Sequence, residues 1–319
     1  MGLSPANVGS LLGAYLWPRW RQTALLGALL VASTVLQLVN PQIIRRFIDT
    51  AIAGTGTPET LAETALLFIG IALVQQGISV GATYVGQLVG WSATNALRTD
   101  LTRHCLELDL SFHKTKTPGE LIERIDGDVT QMATFFSLFA VRIVGSLMLL
   151  VGVLVVMWLT DWRAGLVLTL YATLALGTLG RLHAVAIPHW RAVRQVSADL
   201  FGFIEERLAG TIDLRSSGAT DYVMVRLFER TRARYNAGRR ARLFGSIPWS
   251  VNLFFEAGGY SVAFLLAAYL YGLGSLSLGS AFLIYFYTQL IFQPLNVITH
   301  QIEDFQKAGA SIVRVQDLL

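Results

Sequence analysis

Along this chain apolar stretches recur at membrane length, and polar residues interrupt them on one side only. The pattern is sharpest from Gly279 to Leu319. Ala281 to Phe292 is almost wholly apolar. Through and beyond it runs a stripe of Tyr285, Gln289, Gln293, Asn296, His300 and Asp304, spaced four, four, three, four and four. On a helix these positions stack on one face, with Leu283, Ile291, Leu295, Ile298 and Ile302 opposite. Unpaired polar groups are disfavoured in hydrocarbon, so the stripe is expected to meet protein or water. Interhelical hydrogen bonding would satisfy any one residue. A stripe running the depth of the span favours a cavity. Gln306 to Leu319 then reads as a helix leaving the membrane.

Six apolar stretches are long enough to span, at about 20 residues each: Thr23–Ile44, Ala65–Gly90, Phe135–Trp158, Ala164–Ile187, Leu243–Tyr271 and Ser280–Thr299. Short connections alternate with two long ones, Trp91 to Thr134 and Pro188 to Arg242. Leu97, Leu101, Cys105 and Leu108 recur at helical spacing after the second span. That helix is therefore expected to continue about 30 Å beyond the membrane, at 1.5 Å per residue. The chain breaks at Ser111–Gly119 and helix resumes at Glu120. The second long connection repeats the plan, with helix from Pro188 through Glu206, a break near Ser216–Thr220 and helix again from Tyr222. The fold class is an all-α membrane protein of six long spans with two cytosolic helical hairpins.

Composition agrees. Of 319 residues, 53% are hydrophobic and only 14% charged, roughly half the soluble norm. The net charge of +4 matters less than its placement. Arg45, Arg46 and Arg163 fall on the short-loop side and Arg142 within span three; the other 21 basic residues fall on the long-loop side. The positive-inside rule puts that side, and both termini, in the cytosol. A multi-pass protein of a bacterial cell (inner) membrane is expected. Leu11 to Trp20 suits an interfacial helix, giving residues 1–21 as an elbow and 22–319 as the membrane domain. No basic patch with interleaved aromatics argues for nucleic acid. The single Cys105 permits no internal disulfide.

No Gly-x-x-x-x-Gly-Lys-Ser/Thr loop occurs, and the five histidines lack metal-ligand spacing. No catalytic residue, metal site or cofactor is expected on this chain. The intramembrane ionisable residues are Glu256, balanced between a functional carboxylate and a buried hydrogen bonder, and Arg142, read as snorkelling toward the cytosolic side. Polar faces on several spans suggest a shared cavity, with Gln37, Gln76, Thr83, Gln87, Asn252, Glu256, Gln289, Gln293, Asn296 and His300 as its candidate lining.

This plan resembles the transmembrane half of ABC exporters, the ATP-driven transporters. Pro41 and Asp49 resemble the ending of the family's first span. Phe112 followed by Gly119, Leu121, Arg124 and Asp128 resembles its first cytosolic loop. Glu206 and Gly210, Leu278-Gly279, Pro294, and Ala310 to Leu319 resemble later segments. The resemblance implies pairing with a second such subunit, in a homodimer or heterodimer. It also implies a nucleotide-binding domain carrying ATP and Mg, here expected to be truncated away or a separate chain. Coupling to that domain would fall on Phe112, His113, Lys114, Thr115, Ser216, Ser217, Asp221 and Tyr222, although an aromatic often found early in the second tip is missing. The implied substrate is amphipathic or lipid-like, and membrane lipid is an expected partner. The alternative is an ion-coupled secondary carrier or channel without an ATPase; it predicts broken spans, inverted repeats and a carboxylate pair, none of which the sequence shows. A non-transporting scaffold would carry no cavity stripe.

Overall fold

The structure is a computed structural model. It describes residues 17–300 and Gly309, Ser311, Ile312, Arg314, Val315 and Leu318; the side chains of Thr115, residues 134–140, Thr299 and His300 lie outside the description. The expected elbow before residue 17, and Ile302, Asp304 and Gln306, also lie outside it.

Helix accounts for nearly all described residues. A 3-10 turn, Trp17–Arg19, leads into α1, Trp20–Ile52. Next come α2, Pro58–Glu107, then the short α3, Leu110–Thr115, and α4, Pro118–Ile122. Two π-helical turns, Glu123–Asp128 and Phe139–Val144, flank α5, Val129–Leu138. Then follow α6, Gly145–Thr160; α7, Trp162–Ala209; α8, Thr211–Ser216; α9, Thr220–Gly272; and α10, Leu278–His300. Six helical stretches among the described residues are long and apolar enough to cross a membrane.

Local chemistry explains the boundaries. Thr57 caps α2, its hydroxyl accepting from the Thr60 amide at 3.3 Å, and Pro58 fills the first position, where no amide partner is needed. The 50 residues of α2 make a rod of about 75 Å. Asp161 caps α7 by accepting from the Arg163 amide at 2.7 Å, which explains so short a connection. Thr117 and Pro118 start α4 in the way Thr57 and Pro58 start α2. At the second tip Gly218 has φ of 64°, and the Ala219 amide reaches back to the Leu214 carbonyl at 3.1 Å. That left-handed closure ends α8 with its carbonyls satisfied. Where the sequence pattern predicts only a break near Ser111, six residues form α3, because Asp109 and Lys116 in extended conformation isolate one helical turn and a half.

The chain divides into two compact units: residues 1–170 with 260–319, and residues 171–259. In the first, α1 packs on α2, α6 and α10, and α2 packs on α5. The apolar side of α10 is inward: Leu283, Ile291 and Leu295 are fully buried. Leu26 and Leu30 of α1 pack against Ala82 of α2. A second cluster joins Leu97, Leu101 and Cys105 of α2 to Leu121, Val129 and Met132, and is completed by Ile312, Val315 and Leu318. The spacing that predicted an α2 extension is thus the spacing of its buried side.

In the second unit, parts of α7 and α9 are held by Leu200, Phe203 and Ala241. The Tyr171 hydroxyl donates to the Phe255 carbonyl, and His189 stacks on Phe244 with ring centroids 4.0 Å apart. Arg230 lies over the Phe203 ring at 4.7 Å, a cation–π contact that covers an otherwise half-open aromatic.

Candidate functional site: a polar cavity among the spans

A cavity of about 660 Å³ lies within the first unit, bounded by α1, α2, the second π-turn, α6 and α10. Its polar lining comes from four directions. α1 supplies Ser33 and Gln37, α2 supplies Gln75, Gln76 and Ser79, the π-turn and α6 supply Arg142 and Ser146, and α10 supplies Gln293 and Asn296. Gln75 Nε2 donates to Ser33 Oγ at 3.5 Å, linking α1 to α2 across its wall. On α10 Gln293 is exposed while Leu295 is sealed, so the stripe faces open space and the apolar side faces the subunit.

Of the residues expected in a cavity, Gln37, Gln76, Gln293 and Asn296 meet here. Thr83, Gln87 and Gln289 do not line it, and the reason is depth along each helix: the α2 lining stops at Ala82 and the α10 lining begins at Gln293. On α2 the side packed inward runs through Ala82, Gly86, Val89 and Ala93. Thr83 continues the side of Gln76 two turns further on, exposed, its hydroxyl returned to the Ser79 carbonyl at 3.0 Å. Gln289 is exposed outside the lining, and Tyr285 joins an aromatic group with Tyr260 and Phe264, at centroid distances of 5.3 and 5.0 Å. The stripe is therefore polar at its Gln293 end and aromatic at its Tyr285 end. Asn252 and Glu256 belong to the second unit, where both are half-buried; His300 has no described side chain. Ser33, Gln75, Ser79 and Ser146 were missed in the candidate lining, and Arg142, expected to snorkel, lines the cavity. Gln75 was the findable one: it pairs with Gln76 and starts the 75, 79, 82 series of the inward side.

Two clasps close the unit above and below. At one end Asp49 of α1 caps α10, accepting from the Gly279 amide and the Ser277 hydroxyl, both at 2.9 Å. A Cβ on Gly279 would stand 2.5 Å from the Arg45 carbonyl oxygen, so only glycine permits this approach. Nearby, the Tyr287 hydroxyl donates to the Leu38 carbonyl at 2.6 Å, beside the bend where Pro41 leaves the Gln37 carbonyl without its helical partner. At the other end buried Asp128 accepts from Arg314, whose Nε lies 2.8 Å away and whose Nη2 makes a second bond. Burial pushes the Asp128 carboxyl up, but hydrogen bonds from Arg314 and Ser311 and the guanidinium charge more than offset this, holding it below its ordinary value.

The tips differ in character. Phe112 does not stand free: it is half-buried against the Leu101 cluster and edge-on to His113, at 5.8 Å. His113 and Lys114 are exposed beside it, and His113 Nε2 lies 3.0 Å from the Cys105 carbonyl. Thr115 lies on α3, with its side chain outside the description. At the second tip Ser216, Ser217, Asp221 and Tyr222 are all exposed. Tyr222 is 61% exposed, with Arg226 over its ring at 5.4 Å and donating to its hydroxyl at 3.2 Å.

Six membrane-length apolar helices, four of which line a polar hollow, match a known family. The model of the ABC transporter transmembrane region matches residues 23–295. The chain belongs to this family. A Bacillus subtilis (strain 168) protein named as an uncharacterized ABC transporter ATP-binding protein is 24% identical over 96% of this chain and 50% of its own. A multidrug efflux ATP-binding/permease protein of Mycobacterium bovis is 27% identical over 94% of this chain and 25% of its own. An ATP-dependent lipid A-core flippase of Idiomarina loihiensis is 23% identical over 79% and 44%. The chain thus spans a quarter to a half of these relatives' lengths. This ABC transmembrane region is a multi-pass integral membrane protein.

Proposed function

We propose that this ABC transmembrane region is the membrane part of an ATP-driven transporter that moves an amphipathic or lipid-like substrate by alternating access. The observation that carries the reading is the cavity of about 660 Å³, polar on walls from α1, α2, α6 and α10 although each of these helices is otherwise apolar. A stripe open at Gln293 with a sealed apolar side at Leu295 is what one wall of a larger shared chamber requires. The second wall is a second transmembrane subunit, of the same or a different sequence.

The sequence has no phosphate-binding loop, so ATP and Mg are assigned to a nucleotide-binding domain, and this chain's part is mechanical. α3 with His113 and Lys114, and α8 with Ser216, Ser217, Asp221 and Tyr222, are the surfaces assigned to contact that domain. α2 is one unbroken helix from Pro58 to Glu107, so a displacement at its tip is carried along its length rather than absorbed. Relatives named as efflux, fatty acid and lipid A-core transporters support outward movement of an amphiphile. The basic residues near the span ends support cytosolic termini in a bacterial inner membrane.

The test uses the full transporter in proteoliposomes with cysteine at Gln293. A water-soluble maleimide should label it without nucleotide and lose access with ATP and vanadate. Labelling only by lipid-phase reagents, unaffected by nucleotide, would refute the reading.

A further inference from the structure

Among the described residues, Arg142 is the charged residue in the lining of the cavity, and that lining includes no carboxylate. It sits in the π-turn Phe139–Val144, where a widened turn shifts the helix register between α5 and α6. It is exposed, and it makes no hydrogen bond or ion pair among the described residues. The neighbouring groups are neutral: Gln37, Gln76, Ser146, Gln293 and Asn296. A guanidinium held within a span without a counter-charge is disfavoured unless water or a ligand meets it.

We propose that Arg142 makes this cavity a binding site for amphiphiles with an anionic headgroup. The inference rests on the transport-cavity reading and deepens it. A guanidinium presents its N–H donors in a planar fork that matches two oxygens of a phosphate or carboxylate. The amides and hydroxyls around it supply further donors for headgroup oxygens without bringing a competing negative charge. A cationic headgroup in the same place would meet the guanidinium with no carboxylate among the described lining residues to offset it. Glu256, the intramembrane carboxyl of the sequence pattern, is on α9 in the second unit and is not in this lining.

The experiment places the full-length transporter, carrying Gln293→Cys, in phosphatidylcholine nanodiscs without nucleotide. Protection of that position from a water-soluble maleimide is read by peptide mass mapping. Dodecyl phosphate and dodecyltrimethylammonium are compared at equal mole fractions in the bilayer, with inorganic phosphate as a third probe. Dodecyl phosphate should protect at about tenfold lower mole fraction than the cation. Arg142→Gln should remove that preference and Arg142→Lys should keep most of it. Arg142→Met, which keeps much of the side-chain length without the charge, should also remove the preference and supplies the same information if Arg142→Gln does not fold. Equal protection by the two amphiphiles, or a preference that survives in Arg142→Gln, would overturn the proposal. Equal protection by inorganic phosphate alone would overturn the assignment to an amphiphile. If soluble maleimide never reaches position 293, the transport-cavity reading itself fails, an outcome distinct from the loss of charge preference.

Discussion

Replacing Arg314 by Ala should loosen the tail from the α2–α5 cluster, and Cys105 reports it. The tail contributes Ile312, Val315 and Leu318, each no more than 4% exposed, to the cluster that also buries Cys105. Asp128 is 4% exposed and takes both bonds from Arg314. Removing one partner of a fully buried pair costs about 3–5 kcal/mol, because the other charge is left without compensation. Arg314 is half-exposed, so solvent screens the pair and the figure falls to about 2 kcal/mol. At about 1.4 kcal/mol per factor of ten, the undocked population should rise about 30-fold. Cys105 is the chain's single cysteine and burial pushes its thiol above the ordinary range, so it reacts slowly while docked. Where undocking is fast, its maleimide labelling rate should rise by the same factor. Arg314→Ala combined with Asp128→Ala should label more slowly than Arg314→Ala alone, since no buried charge is then stranded. The reasoning fails if Arg314→Ala changes the rate less than threefold while Ile312→Ala accelerates it. Apolar contact alone would then hold the tail. Acid gives a second check. The Asp128 carboxyl is depressed in the folded state, so its contribution is complete above the ordinary carboxylate range and is lost as pH falls through the lowered value. Cys105 labelling, corrected for thiolate fraction, should therefore rise only below about pH 4.

At the opposite end, Gly279→Ala should lower the thermal midpoint of the purified protein far more than Gly272→Ala, because the first Cβ meets the Arg45 carbonyl and the second meets nothing within 4 Å; equal shifts would refute the close approach. Asp49→Ala should cost about 1–2 kcal/mol by leaving the Gly279 amide without its acceptor, while Ser277 still accepts from the Ser280 amide; denaturant unfolding in detergent measures it, and Asp49→Asn should recover part of it. At the second tip, Tyr222→Ala should leave stability within about 0.5 kcal/mol and abolish substrate stimulation of the transporter's ATPase; normal stimulation would remove Tyr222 from the coupling surface. Phe112→Ala should lower both stability and coupling, since that ring is half-buried in its own hairpin.

Much of this protein is legible from residue order alone. Membrane-length apolar runs set the six spans, since no other local pattern satisfies the backbone inside a bilayer. Leu97, Leu101 and Cys105 at helical spacing announce the extension of α2, Thr57-Pro58 mark its start, and Asp161 and Gly218 mark the start of α7 and the end of α8. These are local determinants, acting within about four residues. What lies far apart along the chain had to wait for the tertiary structure. Asp49 and Gly279 resemble separate motifs, yet they form one hydrogen bond across 230 residues; Asp128 and Arg314 pair across 186. Which polar residues share a cavity also depends on where along each helix the neighbours part. Gln76 and Thr83 lie on one side of α2, yet the lining stops at Ala82 and takes in only Gln76. A π-turn, which widens the helix by one residue, resets the register before α6 and leaves Arg142 in the cavity lining. A stripe counted at 3.6 residues per turn carries neither that depth nor that reset, because both arise from packing between helices.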